Sequence, residues 1–377
     1  MTLRFGPPLR RITHLLDIAA HAQTGARPPV VWRQLAGSTR TSAPAPAFLF
    51  GGADARMARH IYGQIDLPAA GCFSAEDAAI GPGGVIIKDG IGFHGDALGI
   101  PGARAAAILE RLNARPTTTG LAQNPAASLF GTDNDAAALL TDVMPGLWVL
   151  NAAGHRGTLH IPIPADAHQD TSPLLLAAGH SASQLLLGDA IDAVLRAPRV
   201  LAPARLRHGA RFSPRMGEAT RFWTEKLRAN LGLPPPEPRR ALFISPRDTV
   251  EPTGVADWQH IEAAAIARGL AAIHPENLSL AERATTYGEA DCLLGFDGAA
   301  LLEACIFAPP GTPICAIRGN IATDLRLPGL AAALGHRPGL VFGRIDPENP
   351  EAPASVSGGD VQRAMTALLL LKEAVLF

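Results

Sequence analysis

Apolar and polar positions alternate most regularly in the last third of the chain. Ala241–Ser245 (ALFIS) is a short apolar run, and Asp257–Arg268 (DWQHIEAAAIAR) has helical composition with Asp at its start. Leu270–His274 is apolar again. Ser279–Glu289 (SLAERATTYGE) reads as a helix with Ser279 and Glu282 spaced for reciprocal capping of its first turn. Asp291–Gly295 (DCLLG), Ala299–Phe307 and Pro313–Ile317 (PICAI) continue the rhythm. Short apolar runs alternating with helix-length segments predict βαβ units and a parallel sheet. Such sheets receive ligands at the carboxyl ends of their strands.

Upstream the pattern is less even. Ala78–Leu98 places Pro-Gly-Gly and Asp-Gly between β-branched runs, which predicts strands joined by tight turns. Asp135–Ala152 is long enough for a helix, with Pro145 predicting a kink or break inside it. Thr158–Ile163, Gln184–Leu187 and Val200–Leu201 are strand candidates, Met216–Leu231 reads as a helix, and the tail from Gly359 to Phe377 reads as another. Leu233-Pro-Pro-Pro-Glu-Pro-Arg-Arg240 cannot continue a helix or a central strand, so it is the expected domain boundary.

Length agrees with a boundary: 377 residues suggest two domains at about 150 residues each. With 47% hydrophobic and 18% charged residues, a sizeable core can be buried. A net charge of −1 gives no global basic field for nucleic acid or anionic lipid. No apolar run approaches the ~20 residues of a membrane span, and the N-terminus lacks a signal-peptide pattern. The four cysteines form no C-x-x-C pair and read as buried small hydrophobes in a reducing compartment. Together these features predict a soluble, cytoplasmic protein, which partners could hold at the inner membrane.

Three short patterns carry little chemistry. Gly179-His-Ser-Ala-Ser183 approaches a hydrolase nucleophile elbow around Ser181, but Ser183 occupies the last glycine position. Asp133-Asn-Asp135 could hold a divalent metal or equally cap a helix. Gly81-Pro-Gly-Gly84 has no Lys-Ser/Thr after it and reads as a hairpin turn. No histidine spacing matches a zinc site, so neither metal nor cofactor is expected.

More content lies at three predicted strand ends: Ser245-Pro-Arg-Asp248, His274-Pro-Glu-Asn277 and Gly295-Phe-Asp-Gly-Ala299. Their shared position predicts one crevice holding Arg247, Asp248, Glu276, Asn277, Asp297, Gly298 and Ala299. Arg247 offers a bidentate contact to phosphate, and Gly298-Ala299 opens a helix whose free N–H groups can receive an anion.

At these residues the sequence resembles glycosyltransferase family 61. The order ALFISPRDT, DWQHIEAAAIARGL, HPENLSLAERATTYGEADCLLG and FDGAALLEACIFAPPGTPICAI follows that family's second domain. DAAIGPGGVIIKDG and LLTDVMPGLWVL are similar to its first, so the resemblance spans roughly Phe48 to Asn320. Asp297 stands where the family's Gly-x-His-Gly-Ala motif has His; Asp257-Trp258 stand at its Asn-Glu pair, Ala138 near an earlier His, and Ala316 at a final-strand Glu.

The resemblance implies an α/β fold of two Rossmann-like domains facing a cleft in a GT-B-like arrangement, the first with a β-rich start. The expected limits are 1–233 for the acceptor side, 241–358 for the nucleotide-sugar side, and 359–377 for a helix packing back on the first domain. It also implies an inverting, metal-independent transfer from a nucleotide sugar to a saccharide or other hydroxyl acceptor in polysaccharide biosynthesis. Asp297 and Asp257 are then the candidate bases, with Arg247 and the helix start at Gly298 receiving the donor phosphates. A homo-oligomer is compatible with this reading. The alternatives are a catalytically inactive binding or scaffolding protein, which the missing motif residues favour, and a Ser181 hydrolase.

Overall fold

The computed structural model describes residues 11–14, 30–42, 46–51, 64–94 apart from 68, 98, 106–110 apart from 109, 118–129, 136–161, 168–187, 193–245, 255–319 apart from 257, and 325–373 apart from 345, 347 and 350–352. Chain contacts divide it into two compact units, residues 1–39 with 68–206, and residues 40–67 with 207–377.

In the first unit one sheet is built from β1 (Arg11–His14), β2 (Val31–Ala36), β6 (Ala70–Ile80), β7 (Ile86–Lys88), β8 (Ile91–His94), β9 (Thr118–Leu121), β10 (Ala126–Ser128), β11 (Thr158–Ile161), β12 (Leu185–Leu187) and β13 (Ala193–Pro203). The main path runs β1-β8-β7-β6-β13-β10-β11-β12, with β2 on β6 and β9 on β13. The glycine-rich segment after Ile80 is the expected turn, since β6 and β7 pair antiparallel across it. Asp89 and Gly90 both take positive φ between β7 and β8, as a two-residue hairpin turn demands. Beyond β13 the sheet becomes parallel: β13, β10, β11 and β12 run the same way. Phe73, Ile80, Ile86, Phe93 and Val200 meet in the core of this unit.

The helix expected at 135–152, with a kink or break at Pro145, is an unbroken helical run from Ala136 whose irregularity is a π-turn just before Pro145. Ala136–Ala138 leads into a π-turn, Leu139–Val143, and then α1 (Met144–Ala152). Pro145 lies in the first turn after the π-turn, where a missing N–H is tolerated. After α2 (His168–Ala177) the chain turns at Gly179, φ 93°, into the Gly179–Ser183 segment. There Ser181 begins a 3-10 turn in a capping box with Gln184. A serine that follows a helix and caps a turn is not on a strand-to-helix elbow.

The second unit has β3 (Thr39–Ser42) paired with β5 (Gln64–Leu67), and a β14 (Arg207–His208) to β15 (Arg211–Phe212) hairpin. Its main sheet has β4 (Phe48–Gly51), β16 (Arg240–Ile244), β17 (Ala271–Ile273), β18 (Ala290–Phe296), β19 (Pro313–Arg318) and β20 (Arg337–Phe342), in the order β17-β16-β18-β19-β20-β4. Every pairing is parallel. The helices are α3 (Met216–Asn230), α4 (Trp258–Ala267), α5 (Leu280–Gly288), α6 (Ala299–Phe307), α7 (Arg326–Ala333) and α8 (Gly358–Glu373). Both faces of the sheet are buried, which is why its strands read as continuous apolar runs. Ser279 caps α5 as its spacing predicted, and its hydrogen bonds hold the Glu282 carboxyl below the usual range.

These units divide the chain elsewhere than at the proline segment. Residues 233–238 connect α3 to β16 inside the second unit, where Arg228 ties to the Pro234 carbonyl. β4 joins from far upstream. The tail helix α8, expected to pack back on the first domain, lies on the second unit's own sheet, with Val361, Met365 and Leu368 against Phe243, Leu294 and Val341. Its apolar face matches that layer, and Arg363 stacks over the Phe50 ring 5.4 Å away. All four cysteines are buried and unpaired, and burial pushes the Cys72 and Cys292 thiols up to about 12.

Candidate functional site

The carboxyl ends of β17, β16, β18 and β19 lie side by side on one edge of the second sheet. Parallel strands leave their last carbonyls and the following loops there, and returning helices point their amino ends at the same edge. At the end of β18 the chain passes through Asp297 and Gly298 directly into α6, whose first residue is Ala299. Gly298 is extended, φ −171° and ψ −178°, and no side chain caps the helix start.

Asp297 is not an isolated carboxylate. Its Oδ2 lies 2.9 Å from Nε of Arg318, the last residue of β19, and the two side chains are only 14% and 11% exposed. The backbone fixes the pairing, since Asp297 N donates to the Ile317 carbonyl at 2.9 Å. A guanidinium held this way beside the start of α6 adds a fixed cation to the helix's positive end. Arg318 was missed in the sequence because its proximity to Asp297 depends on the register of β18 and β19.

A second group forms at the end of β16 and β17. Ser245 is fully buried and its hydroxyl donates to Glu262 Oε2 from α4. The other oxygen of Glu262 lies 3.8 Å from Nε2 of His274, whose Nδ1 lies 3.8 Å from Glu276 Oε1. Glu276 and Asn277 sit exposed in the 3-10 turn after β17. They follow β17, which β16 separates from β18 and Asp297 in the sheet order. Two carboxylates and an imidazole grouped this way offer acceptors for ligand hydroxyls.

Arg247, Asp248 and Asp257 lie outside the described residues, as do Asp133 and Asp135. The structure therefore brings together Asp297, Gly298 and Ala299, with Glu276 and Asn277 further along the same edge, and adds Arg318, Ser245, Glu262 and His274. Glu262 carried a faint signal, a lone acid on the otherwise apolar IEAAAIA stretch of a helix next to the sheet. Among the described residues no group of three or more His, Cys, Asp or Glu is arranged to hold a metal ion. Among them, too, no helix is long and apolar enough to cross a membrane.

The first unit contributes one buried ion pair. Asp142, within the π-turn, faces Arg205 with Oδ2 3.8 Å from Nη1. π-turns often mark functional positions, and Asp142 is the Asp of the LLTDVMPGL segment.

Comparison with known proteins adds a sequence likeness over part of the chain. No curated protein matches the chain. One matching solved structure is the glycosyl transferase family 9 protein from Veillonella parvula, at 10% identity and a TM-score of 0.36, covering 67% of this chain and 97% of that one. A family model described as Glycosyltransferase 61 matches residues 138–315. That span begins two residues into the helical segment before the Asp142 π-turn and ends inside β19, so it contains Asp297 and the whole of α6 but not DAAIGPGGVIIKDG. From Ala138 to Cys315, this chain is similar to glycosyltransferase family 61.

Proposed function

We propose that the protein is a glycosyltransferase that moves a sugar from a nucleotide donor to a hydroxyl acceptor. The observation that carries this reading is the family match over residues 138–315, which takes in the strand-end residues Asp297 and Gly298. In the reaction the acceptor oxygen attacks the anomeric carbon while the bond to the donor phosphate breaks. The acceptor proton passes to a base, and the departing nucleoside diphosphate keeps the electron pair. Inversion, metal independence and a role in polysaccharide biosynthesis belong to the same proposal.

The residues take roles by position. Arg318, anchored by Asp297, and the N–H groups at the start of α6 receive the leaving diphosphate. Arg247 and Asp248, which follow β16 in the sequence, are assigned to the same diphosphate. Asp297 is engaged in the ion pair, so we assign it to holding Arg318 and leave Asp257 as the candidate base. Glu276 and Asn277 are assigned to donor hydroxyls, and Ala299 to close approach of the phosphate.

A binding protein without turnover is the second reading. It is favoured by one observation: the position that holds His in the resembled motif is here an aspartate committed to an arginine. Thermal shift against UDP-, GDP-, CMP- and dTDP-sugars, followed by calorimetry and a transfer assay, separates the readings. Transfer requires that one donor bind, that Arg318→Ala weaken it about tenfold or more, and that product form. Binding with no product from any acceptor would sustain the second reading, and binding of no nucleotide would defeat the first.

A further inference from the structure

The 3-10 turn that carries Glu276 and Asn277 is tied down at both ends. Before it, His274 faces Glu262, which also accepts from Ser245 at the end of β16. After it, Leu278 leads into the Ser279 cap of α5, and the tie is made by Arg283, one turn into that helix. Arg283 Nη1 donates to the Leu278 carbonyl at 3.0 Å. Its Nε lies 3.2 and 3.1 Å from the two carboxylate oxygens of Glu303. Glu303 belongs to α6, one turn in from the free amino end.

One guanidinium thus bonds both the residue that follows Asn277 and a side chain of the helix that starts at Ala299. The side chains of Arg283 and Glu303 are only 14% and 11% exposed. A planar fork holds its N–H groups in fixed directions, which a lysine ammonium would not reproduce at two acceptors. Stability alone is a poor account of the pair. Desolvation offsets much of the attraction in a buried ion pair, and apolar residues of similar volume often serve a fold as well or better. An apolar contact would suit these helices, since α5 already buries Ala284 and Tyr287 and α6 is otherwise apolar (AALLEACIF). What the ion pair adds is direction.

We propose that Arg283 and Glu303 are positioning residues that fix the Glu276–Asn277 turn relative to the amino end of α6, so that a nucleoside diphosphate is held at two points at once. This rests on the reading above, in which the α6 end takes the diphosphate and the turn takes hydroxyls. Neither Arg283 nor Glu303 touches the ligand. Two anchors at a fixed spacing act together on one ligand, whereas anchors that drift must be ordered again each time it binds.

Arg283→Met/Glu303→Leu tests this on the full chain, with UDP, GDP, ADP and dTDP in calorimetry and inorganic pyrophosphate as their competitor. Pyrophosphate engages the α6 end alone, while a nucleoside diphosphate reaches the turn as well. The double variant should keep its Tm or exceed it. It should bind pyrophosphate as the wild type does, and the nucleoside diphosphate about tenfold more weakly. Should the apolar pair not fold, Arg283→Lys keeps a charge beside Glu303 but gives up the fork, and should show the same selective loss to a smaller degree. An equal loss for both probes, or no loss for either, would overturn the proposal. So would pyrophosphate that fails to compete, because the α6 end would then not hold the diphosphate. A wild-type protein that binds none of the four nucleotides would defeat the glycosyltransferase reading and the proposal with it; a nucleotide held equally by wild type and variants defeats the proposal alone.

Discussion

His160 and His336 show what burial does to a single ring. Each is held neutral, its pKa lowered from 6.5 to about 4, with desolvation as the leading cause. Above pH 6.5 both are neutral folded or unfolded and make no pH-dependent difference. As pH falls from 6.5 towards 4, the unfolded ring takes a proton that the folded ring refuses, so stability declines, then levels off below 4. The full effect is on the order of 3 kcal/mol per ring. Urea denaturation at pH 7.5 and 5.0 should show the loss, and His336→Leu should flatten the part that belongs to the second unit; an unchanged slope would count against it. Gly298 predicts the opposite kind of result. A Cβ built there meets nothing nearer than the Phe296 carbonyl at 4.0 Å, so Gly298→Ala should leave Tm nearly unchanged while testing whether a donor sits against the α6 start. Asp297 and Gly298 could be found from sequence because neighbours in the chain put them at a strand end. Arg318 and Glu262 could not, because each meets its partner only after strands and helices have found their register.

The elements that were legible are those whose signals are local. α5 announced itself through Ser279 and Glu282, and Ser279→Ala should cost about 1 kcal/mol in chemical denaturation, with the loss confined to the second unit. The repeating strand and helix segments from Ala241 to Ile317 were legible for the same reason, each bounded by its own turn and capping residues. β4 was not. FLFG is four residues long, and its partner β20 follows about 290 residues later, so no local pattern marks it. The mixed sheet of the first unit was opaque in the same way, because β13 binds β6, β9 and β10 from separate parts of the chain. The β4 contact is close enough to test. A Cβ on Gly339 would lie 2.2 Å from the Phe48 ring, so Gly339→Ala forces a shift, which we expect β4 to take. Hydrogen exchange should then quicken at β4 and the neighbouring end of β20 before it quickens in β16 or β18; uniform protection would show that the ring simply swings away.

On the scale of the whole molecule, the second unit is assembled from two stretches of chain interrupted by most of the first. A fragment beginning at residue 207 would keep β16 to β20 yet leave β20 as an open edge, and α8 would lose the Phe48 and Phe50 side of its seat. Such a fragment should be less stable than the unit within the full chain and prone to self-association, which sedimentation velocity would reveal; a stable monomer would show that β4 is dispensable. The same detour sets a timetable for synthesis. Residues 48–51 leave the ribosome early, and at about 5–20 residues per second β20 follows roughly 15 to 60 seconds later. Throughout that interval an apolar tetrapeptide must travel unpaired, and only in its second half are all the segments of the first unit available to fold. The nascent protein is therefore most exposed to misassociation just before β20 emerges, and a chaperone that shields short apolar segments would act most usefully on β4, the strand of its sheet made first and docked last.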